Sequence, residues 1–228
     1  MANRLPGLPW LVAGGIGLVV LIVAFVVLRP SGNTPPGGAG SSAAPGSSAA
    51  AAGPCPTSQP AALPAGGTRT VTLTTPKGAI TLKIQADLSP IAAGNFVALA
   101  SCLYYDGTVF HRTATLQDGT PFVIQGGDPD GTGTGGPGYT IKDEPVATPY
   151  KRGTVAMART QAPNSVGSQF FIVLDDKDGA ILGQANTYQI IGNVTAGMET
   201  ADAIYAASGG VELPPNPIPI TTAAVANP

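Results

Sequence analysis

The residue types that could do chemistry in this chain fall in two runs. One is Val109-Phe110-His111-Arg112, followed after a spacer by Pro121-Phe122-Val123-Ile124-Gln125-Gly126-Gly127-Asp128; the other is Gly153–Ile172, reading GTVAMARTQAPNSVGSQFFI. Ser168 follows Gly167, but the second flanking glycine of a nucleophile elbow is missing, and His111, the only imidazole, has no acid partner at a defined distance. His111 reads as a structural residue of its strand. Gly131-Thr132-Gly133-Thr134-Gly135-Gly136 satisfies GxGxxG, yet Pro137-Gly138-Tyr139 follows where a phosphate-binding helix would have to start. Asp128-x-Asp130 imitates the opening of a calcium loop, with Tyr139 in place of the bidentate Glu at the twelfth position. The two cysteines, with one histidine, give no zinc ligand set. No metal or cofactor is expected. What remains is a guanidinium, the amides of Gln125 and Gln169, and aromatic rings. By itself Arg112 reads as a surface salt-bridge residue.

The elements that must carry these groups are strands. Thr154–Ala158 and Ser168–Val173 are short apolar or β-branched runs bounded by turn residues, joined by a polar loop, Arg159–Gly167. Side chains of a strand alternate between faces, so Phe170 and Phe171 cannot both enter one core. One reading is a shallow peptide groove floored by an aromatic ring, with an amide beside it. The other is a core strand with one aromatic at a packed edge.

In order and spacing, FHR, then PFxxQGGD, then GTGxGG, then MA followed by PNxxGSQFF, this sequence resembles the cyclophilins. The resemblance runs from about Arg69 to the C-terminus. It implies a mainly β fold, a closed eight-stranded antiparallel barrel capped by two α-helices, with a peptidyl-prolyl cis-trans isomerase site on its outside. That chemistry needs no nucleophile. Amide resonance opposes rotation with a barrier of ~18–20 kcal/mol, and the twisted state leaves a lone pair on the prolyl nitrogen that a positioned cation can stabilise. The resemblance gives that role to Arg112, with Phe122 and Gln125 as further catalytic positions. It places the proline ring on Phe122, Val123 and Phe171, with Leu182 and Tyr188 at the rim. The substrate chain is held by Gln125 and by the backbone of Ala158 and Arg159, with Gln169 in support. The implied partners are proline-containing peptides and unfolded exported proteins, and cyclosporin is a candidate ligand. Three departures bear on ligand preference. Ile181 or a neighbour stands where many members have tryptophan, Tyr188 stands for a histidine, and Asp175–Thr187 differs in length. An insertion at Thr113–Thr120 also lengthens the path from Arg112 to Phe122.

Around the site, Arg69–Thr75 and Ala79–Ile84 alternate and read as a hairpin turned at Pro76-Lys77-Gly78. Ser89-Pro90 starts a helix with a hydroxyl cap, and Ile91, Phe96, Val97 and Leu99 recur at helical spacing. A second helix is expected over Gly197–Ala207, and Pro217–Val225 offers a last strand in which Pro219 demands an edge or a bulge. Asn193-Val194-Thr195 matches a glycosylation acceptor, a short pattern with many chance occurrences.

The chain divides into 1–29, a tail and membrane anchor; 30–67, a linker; and 68–228, the isomerase-like domain. Leu8–Leu28 is an uncharged apolar run of roughly 20 residues, about what a helix needs to cross a ~30 Å bilayer core. It is longer than a signal-peptide core and lacks an Ala-x-Ala site, so an uncleaved single-pass anchor is favoured over a cleaved signal. The expected partner is the lipid bilayer, with the C-terminal domain extracytoplasmic at the cell membrane. Pro30–Gly67 is nearly all Gly, Ala, Ser, Pro and Thr, a flexible-tether composition. Outside the cytoplasm Cys55 and Cys102 are expected to pair, stapling the end of that tether to the domain, although both could be free thiols. Eleven basic against thirteen acidic residues leave no footprint for nucleic acid. The functional classes that remain are a tethered prolyl isomerase, a proline-segment binding module or holdase with little turnover, and a surface adhesin.

Overall fold

A computed structural model of the chain describes residues 53–226. The expected span Leu8–Leu28 and most of the expected linker lie outside the described residues, among which no helix is long and apolar enough to cross a membrane.

Apolar and polar residues alternate along β1 (Thr68–Thr75) and β2 (Gly78–Gln85), so Val71, Leu73, Ile80, Leu82 and Ile84 all turn to one buried face. The turn between them closes at Thr75 opposite Gly78, whose φ of 131° explains the glycine. Helix α1 (Pro90–Ser101) begins at the expected Ser89-Pro90, but the cap differs from the expected one. Ser89 Oγ has no hydrogen-bond partner among the described residues. The two carboxylate oxygens of Glu144 instead accept from the Ile91 and Ala92 amides, each at 2.9 Å. A carboxylate also satisfies the positive end of the helix dipole, which a hydroxyl does not.

The remaining elements are β3 (Val109–Phe110), β4 (Arg112–Thr115), β5 (Pro121–Gly126), β6 (Thr154–Met157), β7 (Phe170–Val173), α2 (Asp178–Ala185), β8 (Ile190–Ala196), α3 (Met198–Ala207), β9 (Ile218–Pro219) and β10 (Thr222–Ala226). Eight strands form one curled antiparallel sheet in the order β10-β1-β2-β8-β6-β7-β5-β4. Its edges β10 and β4 are not hydrogen-bonded to each other, so it is a half-barrel and not the expected closed barrel. The reason is visible at β4. Its outer side is taken by a loop, with Thr113 N donating to Glu212 O and Thr113 Oγ1 to Val211 O, both at 2.9 Å. Strands β3 and β9 pair separately, with Val109 opposite Pro219, a two-stranded ribbon in which a proline is tolerated.

There are three helices among the described residues where two were expected. Helix α1 packs against β1, β2, β8 and β10, and α3 against β2 and β5, so both serve the interior. The additional α2 is short, contains Gly179 and Gly183, and ends at Asn186 with φ 44°. Weak propensity hides such a helix from a periodicity reading.

The end of the expected linker lies against the fold. Cys55 is disulfide-bonded to Cys102, as expected. Leu63 is buried and its amide donates to Pro90 O at 2.9 Å. A Cβ on Gly94 of α1 would stand 2.3 Å from Ala61 O, so the glycine is what lets this segment approach the helix.

Candidate active site

Strand β7 separates two apolar layers. Phe170 points inward and meets Phe96, Tyr105 and Phe110 edge-on, with ring centroids 5.3, 5.6 and 6.0 Å away. Phe171 points outward into a second cluster with Ala114, Val123, Tyr150, Ala156, Val173, Leu182 and Ile190. Phe122, Ala158 and Tyr188 pack on this cluster while staying partly open. The Phe171 and Tyr188 rings are 5.4 Å apart and nearly perpendicular. The apolar positions predicted for a proline site are therefore all in one outer layer, with Leu182 brought in by α2.

The polar positions run beside it. Arg112 lies opposite Gln125 across β4 and β5, and Gln125 lies opposite Phe171 across β5 and β7. Arg112 Nη1 donates to Gln125 Oε1 at 3.2 Å, Gln125 Nε2 to Gln169 Oε1 at 2.9 Å, and Gln169 Nε2 to Gly135 O at 2.9 Å. This line fixes the orientation of both amides and leads from the Gly-rich loop to the guanidinium. The insertion after Arg112 does not disturb it. The extra residues extend the β4–β5 hairpin and are absorbed by a register shift at Ala114/Thr115 and a turn in which Leu116 N donates to Thr120 O.

The Ala158 amide donates to Gln169 O at 2.8 Å, so it belongs to the sheet. The Ala158 carbonyl and the Arg159 amide take part in no backbone hydrogen bond among the described residues, an open edge suited to an extended peptide. The Arg159 side chain is turned away from that edge. It is 11 % exposed, paired with Asp143 at 3.1 Å, and donates to the carbonyls of Thr160 and Ala162.

Titratable groups around the groove are set for structure. Burial pushes the Tyr150 hydroxyl up to about 12, and it stays a neutral donor to Tyr188 O at 2.9 Å while accepting from Tyr188 N. Burial alone would raise the Asp128 carboxyl, but amide donors from Asp130, Gly135 and Gly133 outweigh it and hold the group below the usual carboxylate range. Asp128 organises the Gly131–Gly136 loop, as a calcium ligand would not. Burial lowers the His111 pKa, and neither ring nitrogen has a hydrogen-bond partner among the described residues, so the imidazole is neutral and structural. Those residues hold no cluster of His, Cys, Asp or Glu that could bind a metal ion.

An outer apolar patch, an arginine tied to a glutamine line and an open backbone edge have counterparts among known proteins. The family model for cyclophilin type peptidyl-prolyl cis-trans isomerases matches residues 70–225. The chain belongs to the cyclophilin family. It is a cyclophilin-type peptidyl-prolyl cis-trans isomerase. It is 41% identical over 124 residues to peptidyl-prolyl cis-trans isomerase B of Bacillus subtilis, covering 52% of this chain and 80% of that protein. To the isomerase-like 3 protein of Dictyostelium discoideum it is 39% identical over 137 residues, 58% of this chain and 79% of that one. The crystal structure of a Cryptosporidium parvum cyclophilin type isomerase superposes with a TM-score of 0.61 at 32% identity, covering 71% of this chain and all (100%) of that one. The same Cryptosporidium protein crystallised in the presence of the dipeptide Ala-Pro gives a TM-score of 0.60 at 32% identity, covering 70% and 99%.

Two residues of this cyclophilin groove escape sequence reasoning. Tyr150 is an isolated aromatic in a proline-flanked loop, yet it is buried in the Phe171 cluster and bonded to Tyr188. Glu212 sits 100 residues from Arg112 and accepts from its Nε at 2.8 Å. Neither has a local pattern that points to the groove.

Proposed function

We propose that this cyclophilin isomerises X-Pro bonds of exported proteins in the outer groove, with Arg112 stabilising the twisted amide. The observation that carries the reading is the Arg112–Gln125–Gln169 line lying beside the Phe171 cluster, a directed cation at the edge of an apolar seat. The proline ring rests on Phe171, Val123 and Phe122 between Leu182 and Tyr188. The chain on either side of it bonds to Gln125 and to the open Ala158–Arg159 edge. In the planar ground state the prolyl nitrogen lone pair is delocalised; in the twisted state it is localised, and a guanidinium N–H gains strength there, lowering the barrier. The Ala-Pro dipeptide present with the Cryptosporidium relative is a minimal form of such a ligand. Cyclosporin is proposed for the same groove, with its affinity modified by Tyr188.

The location follows from Leu8–Leu28 as an anchor that leaves the catalytic domain outside the cytoplasm. In its favour is the Cys55–Cys102 disulfide, a bond that persists in oxidising compartments.

The test is exchange NMR on an Ala-Pro peptide with catalytic amounts of the full chain in detergent micelles. The parent is expected to accelerate exchange well above background, and Arg112→Ala to lose about 100-fold of that gain, as when one transition-state donor is removed. Peptide binding without acceleration would leave a binding module in place of the enzyme.

A further inference from the structure

Resting on the isomerase reading of this groove, we infer that Glu212 is a positioning residue that sets the plane of the Arg112 guanidinium. Its Oε1 accepts from Nε at 2.8 Å and stands 2.7 Å from Nη2, so the carboxylate grips the side edge of the group. Gln125 Oε1 takes one hydrogen of Nη1 at 3.2 Å. A guanidinium has five N–H donors. The Nε–H goes to Glu212 and one hydrogen of Nη1 to Gln125, with Nη2 close to the same carboxylate oxygen, so Nη1 and Nη2 keep donors for a ligand.

The carboxylate is delivered by the backbone. Glu212 O accepts from the amide of Thr113, the residue after Arg112, and Val211 O accepts from Thr113 Oγ1, so the loop is tied to the strand that carries the arginine. Gly209 and Gly210, with φ of 64° and 78°, give the chain the left-handed turn that brings Val211 and Glu212 onto β4. The side chains of Arg112 and Glu212 are 35% and 63% exposed, and an ion pair so open to water adds little to stability. What it can change is direction. An arginine side chain held at one nitrogen by Gln125 alone swings about that contact, whereas a second grip on the opposite edge fixes its plane. A donor already aimed needs no reorganisation in the transition state. Glu212 occupies the side edge, not the end donors, and so does not block the ligand.

The experiment compares the full chain with Glu212→Ala and Glu212→Gln, reading the isomerisation rate at saturating Ala-Pro peptide, the peptide Kd, and the Nε–H resonance of Arg112. A positioning role predicts that Glu212→Ala lowers the saturated rate about tenfold and leaves Kd within about twofold, because uniform binding is untouched. Glu212→Gln, which keeps an acceptor, restores most of the rate. The Arg112 Nε–H signal, protected in the parent and in the Gln variant, broadens by solvent exchange in the Ala variant. An Ala variant as fast as the parent, or faster, would overturn the role, as would a loss seen only in Kd. The Gln variant reads the same question if the Ala variant folds poorly. A parent chain without activity sinks the isomerase reading; an active parent indifferent to Glu212 sinks only this inference.

Discussion

Phe170 and Phe171 share a strand and differ in what surrounds them. The first is enclosed by Phe96, Tyr105 and Phe110 in the interior layer, which is sealed by α1 and α3. The second lies in a smaller outer layer whose rim, Phe122, Ala158 and Tyr188, is left partly open and bordered by Arg112, Gln125 and Gln169. Both rings are nearly buried, at 0% and 4% exposure, so burial alone does not separate core from site. What separates them is the polar border on one side.

The contrast breaks most sharply by substituting one ring at a time. Phe170→Ala opens a cavity in the sealed layer and is expected to cost about 4 kcal/mol of stability. Phe171→Ala is expected to cost about half of that and to weaken Ala-Pro peptide binding severely, because it removes the floor of the groove. Urea unfolding and peptide titration of the two variants decide it. Equal destabilisation, with peptide affinity retained in Phe171→Ala, would make the outer layer a second core and no more.

A smaller effect on the interior side sharpens the same division. The Cys55–Cys102 bond closes a loop over a sequence separation of 47 and fixes the segment that carries Leu63 into the interior cluster. Replacing both cysteines by serine should lower stability by about 4 kcal/mol through the freed entropy of the unfolded chain. No residue of that segment belongs to the outer cluster, so isomerisation per folded molecule should be unchanged. A large fall in the rate of the folded variant would show that the two layers are coupled.

The sequence announced the two layers because alternation is a local property: Phe170-Phe171 and Val123-Ile124 must face opposite ways in any strand. The hairpin β1–β2 and the start of α1 were legible for the same reason, since they depend on neighbours. Contacts set by long-range folding were not. Glu144 displaced Ser89 as the cap of α1, and Glu212 reached Arg112, through loops whose paths no pattern near those residues encodes. The closed barrel failed likewise. The resemblance implied eight strands closed into a barrel, but whether β4 meets β10 depends on the loop at Val211-Glu212 taking the Thr113 amide first. Arg159 was carried over for its backbone alone, and no local pattern shows that its side chain turns to Asp143.

The outer layer also contains the group whose protonation its stability should follow. Asp178 opens α2, the helix that delivers Leu182, and it is fully buried. Its Oδ2 accepts from the Asp175 amide at 2.9 Å, while Oδ1 has no partner among the described residues. Burial, with Asp175 and Asp118 nearby, pushes its carboxyl up to about 7. Below the usual carboxylate value of about 4 both folded and unfolded chains are protonated there. Between about 4 and about 7 the unfolded chain releases the proton and the folded chain keeps it, so stability falls as pH rises through that window and stays at its lower level above it. Asp178→Asn removes the titrating group and keeps an acceptor for Asp175. It should therefore be nearly neutral at pH 4 and stabilising by about 1–2 kcal/mol at pH 8, read from urea midpoints at the two pH values. A gain of the same size at both pH values would assign the effect to packing of the amide and not to the proton.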